Sequence, residues 1–205
     1  MAHYLVLDLE MSGTNVEYNE IIQIGAVLYD ENWKELGQFL DNVYPEDKDN
    51  FSASAEAVHG LTWEELQDAP MLHELLPELE DWIVEKIGIR KPTTTQKENT
   101  LRNVIICGQS VINDINFLKF AYKKENLKWN YSYTLMDLHT LSYFLFEIFK
   151  ENKMDTPKGR SLGKIAEFFG FNREDSLHNA LEDAVLTGKC FKKIMEYTKT
   201  LTIQK

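Results

Sequence analysis

The sequence predicts an α/β domain built on a mixed sheet, and three observations carry that prediction. Strand-like segments separated by short polar turns fill the first 45 residues. From residue 104 onward, short apolar runs alternate with segments of helical periodicity, the pattern of parallel strands joined by helices. The chain's 205 residues, 43% hydrophobic and 27% charged, are enough for one domain with a substantial core.

Residues 4–7 are continuously apolar, and Asp8, Leu9 and Glu10 then alternate before Ser12-Gly13-Thr14. That reads as a strand buried on both faces and ending in a turn. Segments 21–30 and 37–45, joined by the polar turn Glu31-Asn32-Trp33-Lys34, complete an antiparallel meander. Residues 52–58 form a short helix closed at Gly60, and Thr62 with Glu65 has the spacing of a capping box. Leu72, Leu75, Leu76, Leu79, Trp82, Ile83 and Ile87 give 70–88 a helical stripe, with Pro77 as a point of kinking or breakage. Residues 90–103 hold almost nothing apolar and are expected to form a surface loop.

A buried strand at 104–108 precedes a helix at 112–126 with Ile115, Leu118 and Tyr122 inward. A strand at 133–138 feeds the apolar helix LSYFLFEIF. The polar loop 151–160 follows, then the short helix SLGKIAEFFGF, and a last helix spans 177–197 with Ser176 as its candidate N-cap.

The net charge of −11 is unevenly spread. Residues 1–88 hold 20 Asp/Glu against 3 Lys, a balance of −17; residues 89–205 hold 19 Lys/Arg against 13 Asp/Glu, a balance of +6. Such a chain binds duplex phosphates poorly over its acidic half and has room for a local basic face in the other. No run reaches the roughly 18 apolar residues of a membrane helix, and the N-terminus has no signal-peptide pattern. Cys107 and Cys190 sit in apolar segments without metal-type spacing, as expected of reduced core residues in a cytoplasmic protein.

Five residues fit poorly with plain packing. Asp8 and Glu10, two apart in a strand, leave the sheet on one face at its C-terminal end, where open α/β sheets form ligand crevices. Adjacent carboxylates repel unless a cation neutralises them, and hard divalent cations prefer oxygen. Asp114 lies along the apolar stripe of Phe117, Leu118 and Ala121, where an unpaired acid is costly. His178 and Asp183 flank the start of the last helix, and a histidine there titrates in the range of a general base. The competing reading of each is a solvated acid or a capping residue.

Taken in order, LDLEMSG, ICGQSVINDINFL and HNALEDA resemble the three motifs of the DnaQ-like 3′–5′ exonuclease superfamily, in its DEDDh branch. AVHGLT and the Asp137 segment MDLHTL resemble lesser family features, so the likeness runs from about residue 4 to 195. It implies one exonuclease domain over 1–205, on a ribonuclease H-like mixed sheet: three antiparallel strands, then parallel ones, flanked by helices. It implies two divalent ions, Mg²⁺ or Mn²⁺, on Asp8, Glu10, Asp114 and Asp183, with His178 as general base. Met11, Ser12, Gly13, His59 and Ser110 are the residues expected to touch the substrate.

The implied substrates are the 3′ ends of single-stranded, short RNA or DNA, released as nucleoside 5′-monophosphates. DLEMSG and CGQSVINDINFL are close to the oligoribonuclease pattern, although Gln109 stands where those enzymes carry Asn; AVHGLTWEEL is closer to proofreading and RNA-trimming exonucleases. A homodimer, and a polymerase or RNA-processing partner, are both compatible with the resemblance. The alternative class is a non-catalytic adaptor for nucleic acid or protein on the same fold, which the loss of a metal carboxylate would favour. All four are present.

Overall fold

A computed structural model describes residues 2–172 and 179–200. Three strands open the chain: β1 (His3–Met11), β2 (Ile21–Tyr29) and β3 (Glu35–Asn42). They pair antiparallel, as the short turns require. After α1 (Ala53–His59), α2 (Leu72–Lys86) and α3 (Thr94–Leu101), β4 (Val104–Gly108) returns parallel to β1. Next come α4 (Ile112–Lys124), β5 (Leu135–Asp137), α5 (Leu138–Glu151), α6 (Leu162–Phe168) and α7 (Ala180–Thr198). β5 is parallel to β4, and the sheet order is β3-β2-β1-β4-β5. The mixed α/β class expected from the sequence is the observed one.

Alternation along β1 divides the core. Leu5, Leu7 and Leu9 point to a layer containing Leu75, Leu76, Leu79 and Ile83 of α2 and Ile115, Leu118 and Tyr122 of α4. Val6 points the other way, into a layer with Leu145, Phe146, Ile165, Ala184, Cys190 and Phe191 of α5, α6 and α7. By the same alternation Asp8 and Glu10 leave β1 on the α7 side. Among the described residues no helix is long and apolar enough to cross a membrane.

Helix α7 meets β2 backbone to backbone at Gly25, and at Gly188 it leaves room for the Tyr29 ring. A Cβ on Gly25 would come within 2.1 Å of the Ala180 carbonyl carbon, and one on Gly188 within 2.4 Å of the Tyr29 hydroxyl. Gly25 supplies the close approach that brings the first turn of α7 over the sheet.

Several boundaries differ from expectation. Residues 90–103 are not a loop, because Thr93 and Gln96 cap α3 reciprocally and Lys97 pairs with Glu80 and Asp81 of α2. Leu101 alone is buried there, so a solvated helix gave no apolar stripe to read. The Thr62–Glu65 capping box does form, but it closes a turn and no helix follows. Trp33, in the supposedly polar turn, is buried with φ 59° and stacks on Tyr4 at 4.5 Å and on Phe191 at 5.5 Å. β3 starts and stops earlier than 37–45, and α2 runs through Pro77 unbroken. The last helix begins at Ala180 with Asn179 as its N-cap; Ser176, the expected cap, lies outside the described residues.

Gly25→Ala is expected to unseat α7, since the clash is with backbone. A loss of about 3 kcal/mol or more, read from the urea midpoint at constant m-value, is the outcome; wild-type stability would show that the approach is not tight.

Candidate active site

Strand β1 carries Asp8 and Glu10 to its C-terminal end. Opposite them in the β1–β2 register stand Gly25 and Gln23: Asp8 pairs with Gly25 and Glu10 with Gln23. Since α7 sits on β2 at Gly25, its first turn lies beside the two acids. Asp183, in that turn, joins them: Asp8, Glu10 and Asp183 each offer a carboxylate oxygen, all within 4.8 Å of one another. Glu10 and Asp183 are buried, at 8% and 4% exposure, and Asp8 is half-buried.

The start of α7 is fixed by its backbone donors. Asn179 Oδ1 accepts from the N–H groups of Leu181 and Glu182, and Gln23 Oε1 accepts from Ala180 N–H at 2.9 Å. His178, expected beside this cap, lies outside the described residues.

Asp114 arrives from the opposite layer. It sits in the first turn of α4, 6% exposed, and is not one of the three carboxylates within 4.8 Å. Its carboxylate reaches the rim of β1 past the last β4 pair, Val6 with Cys107, and accepts a hydrogen bond from Leu9 N–H. Leu9 lies between Asp8 and Glu10, so all four acids border the same end of one strand. Burial pushes the Asp114 carboxyl up to about 7; the N–H groups of Asp114 and Leu9 oppose the shift, and the nearby Asp137 adds to it. Asp137 in turn caps α5 through Thr140 and accepts from Val111 N–H at 3.0 Å, which ties the turn before α4 to the end of β5.

The residues expected to touch substrate are dispersed among different tasks. Glu10, Met11, Gly13, Thr14, Ala55, Val58 and His59 line a cleft of about 370 Å³ beside the acids. His59 is buried and uses Nδ1 to accept from Leu61 N–H. Ser12 is 1% exposed and holds the 12–20 turn, its hydroxyl accepting from Glu20 N–H. Ser110 does not line this cleft and takes φ 53° in the turn between β4 and α4.

Carboxylates from β1 and α7, two of them buried, with Asp114 of α4 on the adjoining backbone, are a hard-oxygen donor set of the kind divalent cations take. A model of the RNase T exonuclease family matches residues 5–191. The chain belongs to this exonuclease family, a family of hydrolases.

Among curated exonuclease relatives, the chain is 26% identical over 201 residues to a PolC-type DNA polymerase III of Caldanaerobacter subterraneus, covering 98% of this chain and 12% of that one. It is 27% identical over 191 residues to the 3′–5′ exonuclease DinG of Staphylococcus aureus, covering 92% and 18% respectively. The chain thus spans less than a fifth of the length of these relatives. In fold it is similar to the nuclease domain of 3′hExo, a DEDDh family member bound to rAMP, at TM-score 0.70 and 18% identity, covering 99% and 96% of the two chains. It is also similar to the zinc-bound E. coli ExoI–ssDNA complex, at TM-score 0.75 and 14% identity, covering 98% and 43%. The DEDDh resemblance and the ribonuclease H-like mixed sheet are therefore those of the protein's structural neighbours.

Three contributors to the site escaped sequence reading: Gln23, Asn179 and the tie from Asp137 to Val111. Gln23 had a signal, being the one polar residue in IIQIGAVLY; Asn179 also had one, an Asn directly before a helix with Glu182 and Asp183 in its first turn.

The raised Asp114 value predicts a pH dependence in metal-free protein. The folded state holds that proton more tightly than an unfolded chain near the ordinary 3.8. Its contribution to stability is therefore complete below about pH 4 and lost as pH rises through about 7. Asp114→Asn should flatten this fall by about 1 kcal/mol per pH unit across the window. Urea titrations in EDTA at several pH values between 5 and 8 measure it, and identical slopes in the two proteins would refute it.

Proposed function

We propose that the protein is a metal-dependent 3′–5′ exonuclease that shortens single-stranded nucleic acid from its 3′ end. The observation carrying this reading is the meeting of Asp8, Glu10 and Asp183 within 4.8 Å at the end of β1, with Asp114 on the adjoining backbone. Asp8, Glu10, Asp114 and Asp183 would hold two divalent ions, Mg²⁺ or Mn²⁺. Such ions supply an activated water and charge stabilisation at the scissile phosphate.

The chain's own residues have distinct parts in this scheme. Asp8 and Glu10 offer oxygens from one rigid strand, so their relative position does not depend on a loop. Asp183, from the opposite side, closes the set. Asp114, whose carboxyl burial raises to about 7 in metal-free protein, would release its remaining proton to take a cation. His178 would take the proton of the attacking water, and a nucleoside 5′-monophosphate would leave.

Met11, Gly13 and Val58 offer apolar contact to the terminal base in the cleft beside Glu10, with His59 at its wall. Ser12 and Ser110 would act through the turns they shape. The PolC-type DNA polymerase relative favours a DNA 3′ end; the short-RNA substrate remains the competitor, and the assay must include both.

With 5′-labelled single-stranded DNA and RNA, a dinucleotide included, wild-type protein in Mg²⁺ or Mn²⁺ should give a 3′-shortening ladder that EDTA abolishes. Asp8→Ala and Asp183→Asn should each slow it by roughly 100-fold or more, the scale of losing several kcal/mol of charge stabilisation. Tight binding without degradation, unchanged in both variants, would sink the proposal.

A further inference from the structure

We infer that Gln23 is a positioning residue that sets where Asp183 stands relative to Asp8 and Glu10, and hence how tightly the site binds its cations. The inference rests on the metal reading above and adds to it a residue that touches neither metal nor substrate. Four observations converge on it.

Gln23 is 4% exposed in the middle of the sheet and faces Glu10 directly across the β1–β2 ladder. Its Oε1 accepts from the N–H of Ala180, the first residue of α7, at 2.9 Å. Because a backbone N–H only donates, the atom facing it must be the oxygen, so the amide's orientation is determined. Its Nε2 donates to Asn42 Oδ1 of β3 at 2.8 Å, so the side chain is anchored at both ends.

The geometry makes this contact a lever. Asp183 stands three residues beyond Ala180, in the same first turn, so movement of Ala180 carries Asp183 with it. Gly25 holds the turn at backbone contact distance but fixes only its approach to the sheet. The Gln23 bond lies along the strand from Gly25 and opposes sliding of the helix over that contact. Metal sites lose strength when their ligands are displaced by even half an ångström to an ångström.

The residue type suits the place. Three carboxylates already lie within 4.8 Å of one another, and a fourth negative charge opposite Glu10 would add repulsion in the metal-free state. A neutral amide accepts the helix N–H without adding charge, and its own N–H₂ is accommodated by Asn42.

The test titrates the full chain with Mn²⁺ by calorimetry and follows amide exchange at Ala180 by NMR. Gln23→Met keeps the volume and removes the acceptor. It should weaken Mn²⁺ binding about tenfold, raise by a similar factor the Mn²⁺ concentration giving half-maximal nuclease activity, and speed Ala180 exchange. The kcat at saturating Mn²⁺ should fall less than about threefold. Gln23→Glu restores an acceptor and should restore Ala180 protection, which a change in charge at the metal would not do.

Ile194→Ala, at the far end of α7, serves as the control. It should lower the melting temperature while leaving Mn²⁺ affinity at the wild-type value. If Gln23→Met is too unstable to titrate, Asn42→Ala, which releases only the second anchor, should weaken Mn²⁺ binding about threefold. Wild-type Mn²⁺ affinity in Gln23→Met or in Asn42→Ala overturns the inference and leaves the metal reading standing. Wild-type protein that binds no Mn²⁺ overturns the metal reading, and this inference with it.

Discussion

Mutual repulsion among carboxylates is the constraint on which the rest of the structure depends. Asp8, Glu10 and Asp183 stand within 4.8 Å of one another, partly or fully removed from water, and like charges so placed push apart. The fold opposes that push with its most rigid parts. Two of the acids are fixed on the strand at the centre of the sheet, and the third is pressed against them by a helix in backbone contact with the neighbouring strand. Asp114 is held by the strand's own Leu9 N–H. Packing thus holds together carboxylates whose mutual repulsion bound cations would relieve.

The two-layer core explains how residues so far apart in sequence meet. Alternation along β1 sends leucines to α2 and α4, and Val6 with the acids to α7. Asp183 therefore approaches face to face, while Asp114 comes from the other layer and reaches the site only around the strand's edge, past the end of its pairing with β4. A parallel β4 shorter than β1 leaves that edge open. The site is thus formed where the pairing of β1 with β4 stops, while its pairing with β2 continues.

Much of this was legible from residues alone. The meander, the strand 104–108 and the helices over 72–86 and 112–124 follow from period and turn chemistry, because each buries a regular apolar face. The cost of an acid in an apolar context only suggested the motif acids, and the ordered resemblance of LDLEMSG, ICGQSVINDINFL and HNALEDA to the DEDDh pattern made the set legible. Helix α3 was hidden, since its stability comes from a capping box and from ion pairs to α2, with Leu101 alone buried. Trp33 was hidden because nothing local shows that a turn residue will fold back between Tyr4 and Phe191.

The sequence by itself determined the class of fold, the pairing of Asp8 with Glu10 on one strand face, and the identity of the remaining acids. Strand period and the cost of buried charge are local properties, and a chain displays them without being folded. Only the tertiary structure decided which acids actually meet, that Asp114 enters from the opposite layer, and that Gln23 and Gly25 seat the helix bearing Asp183. Those facts depend on how closely two elements approach across more than 150 residues of chain, a distance set by packing.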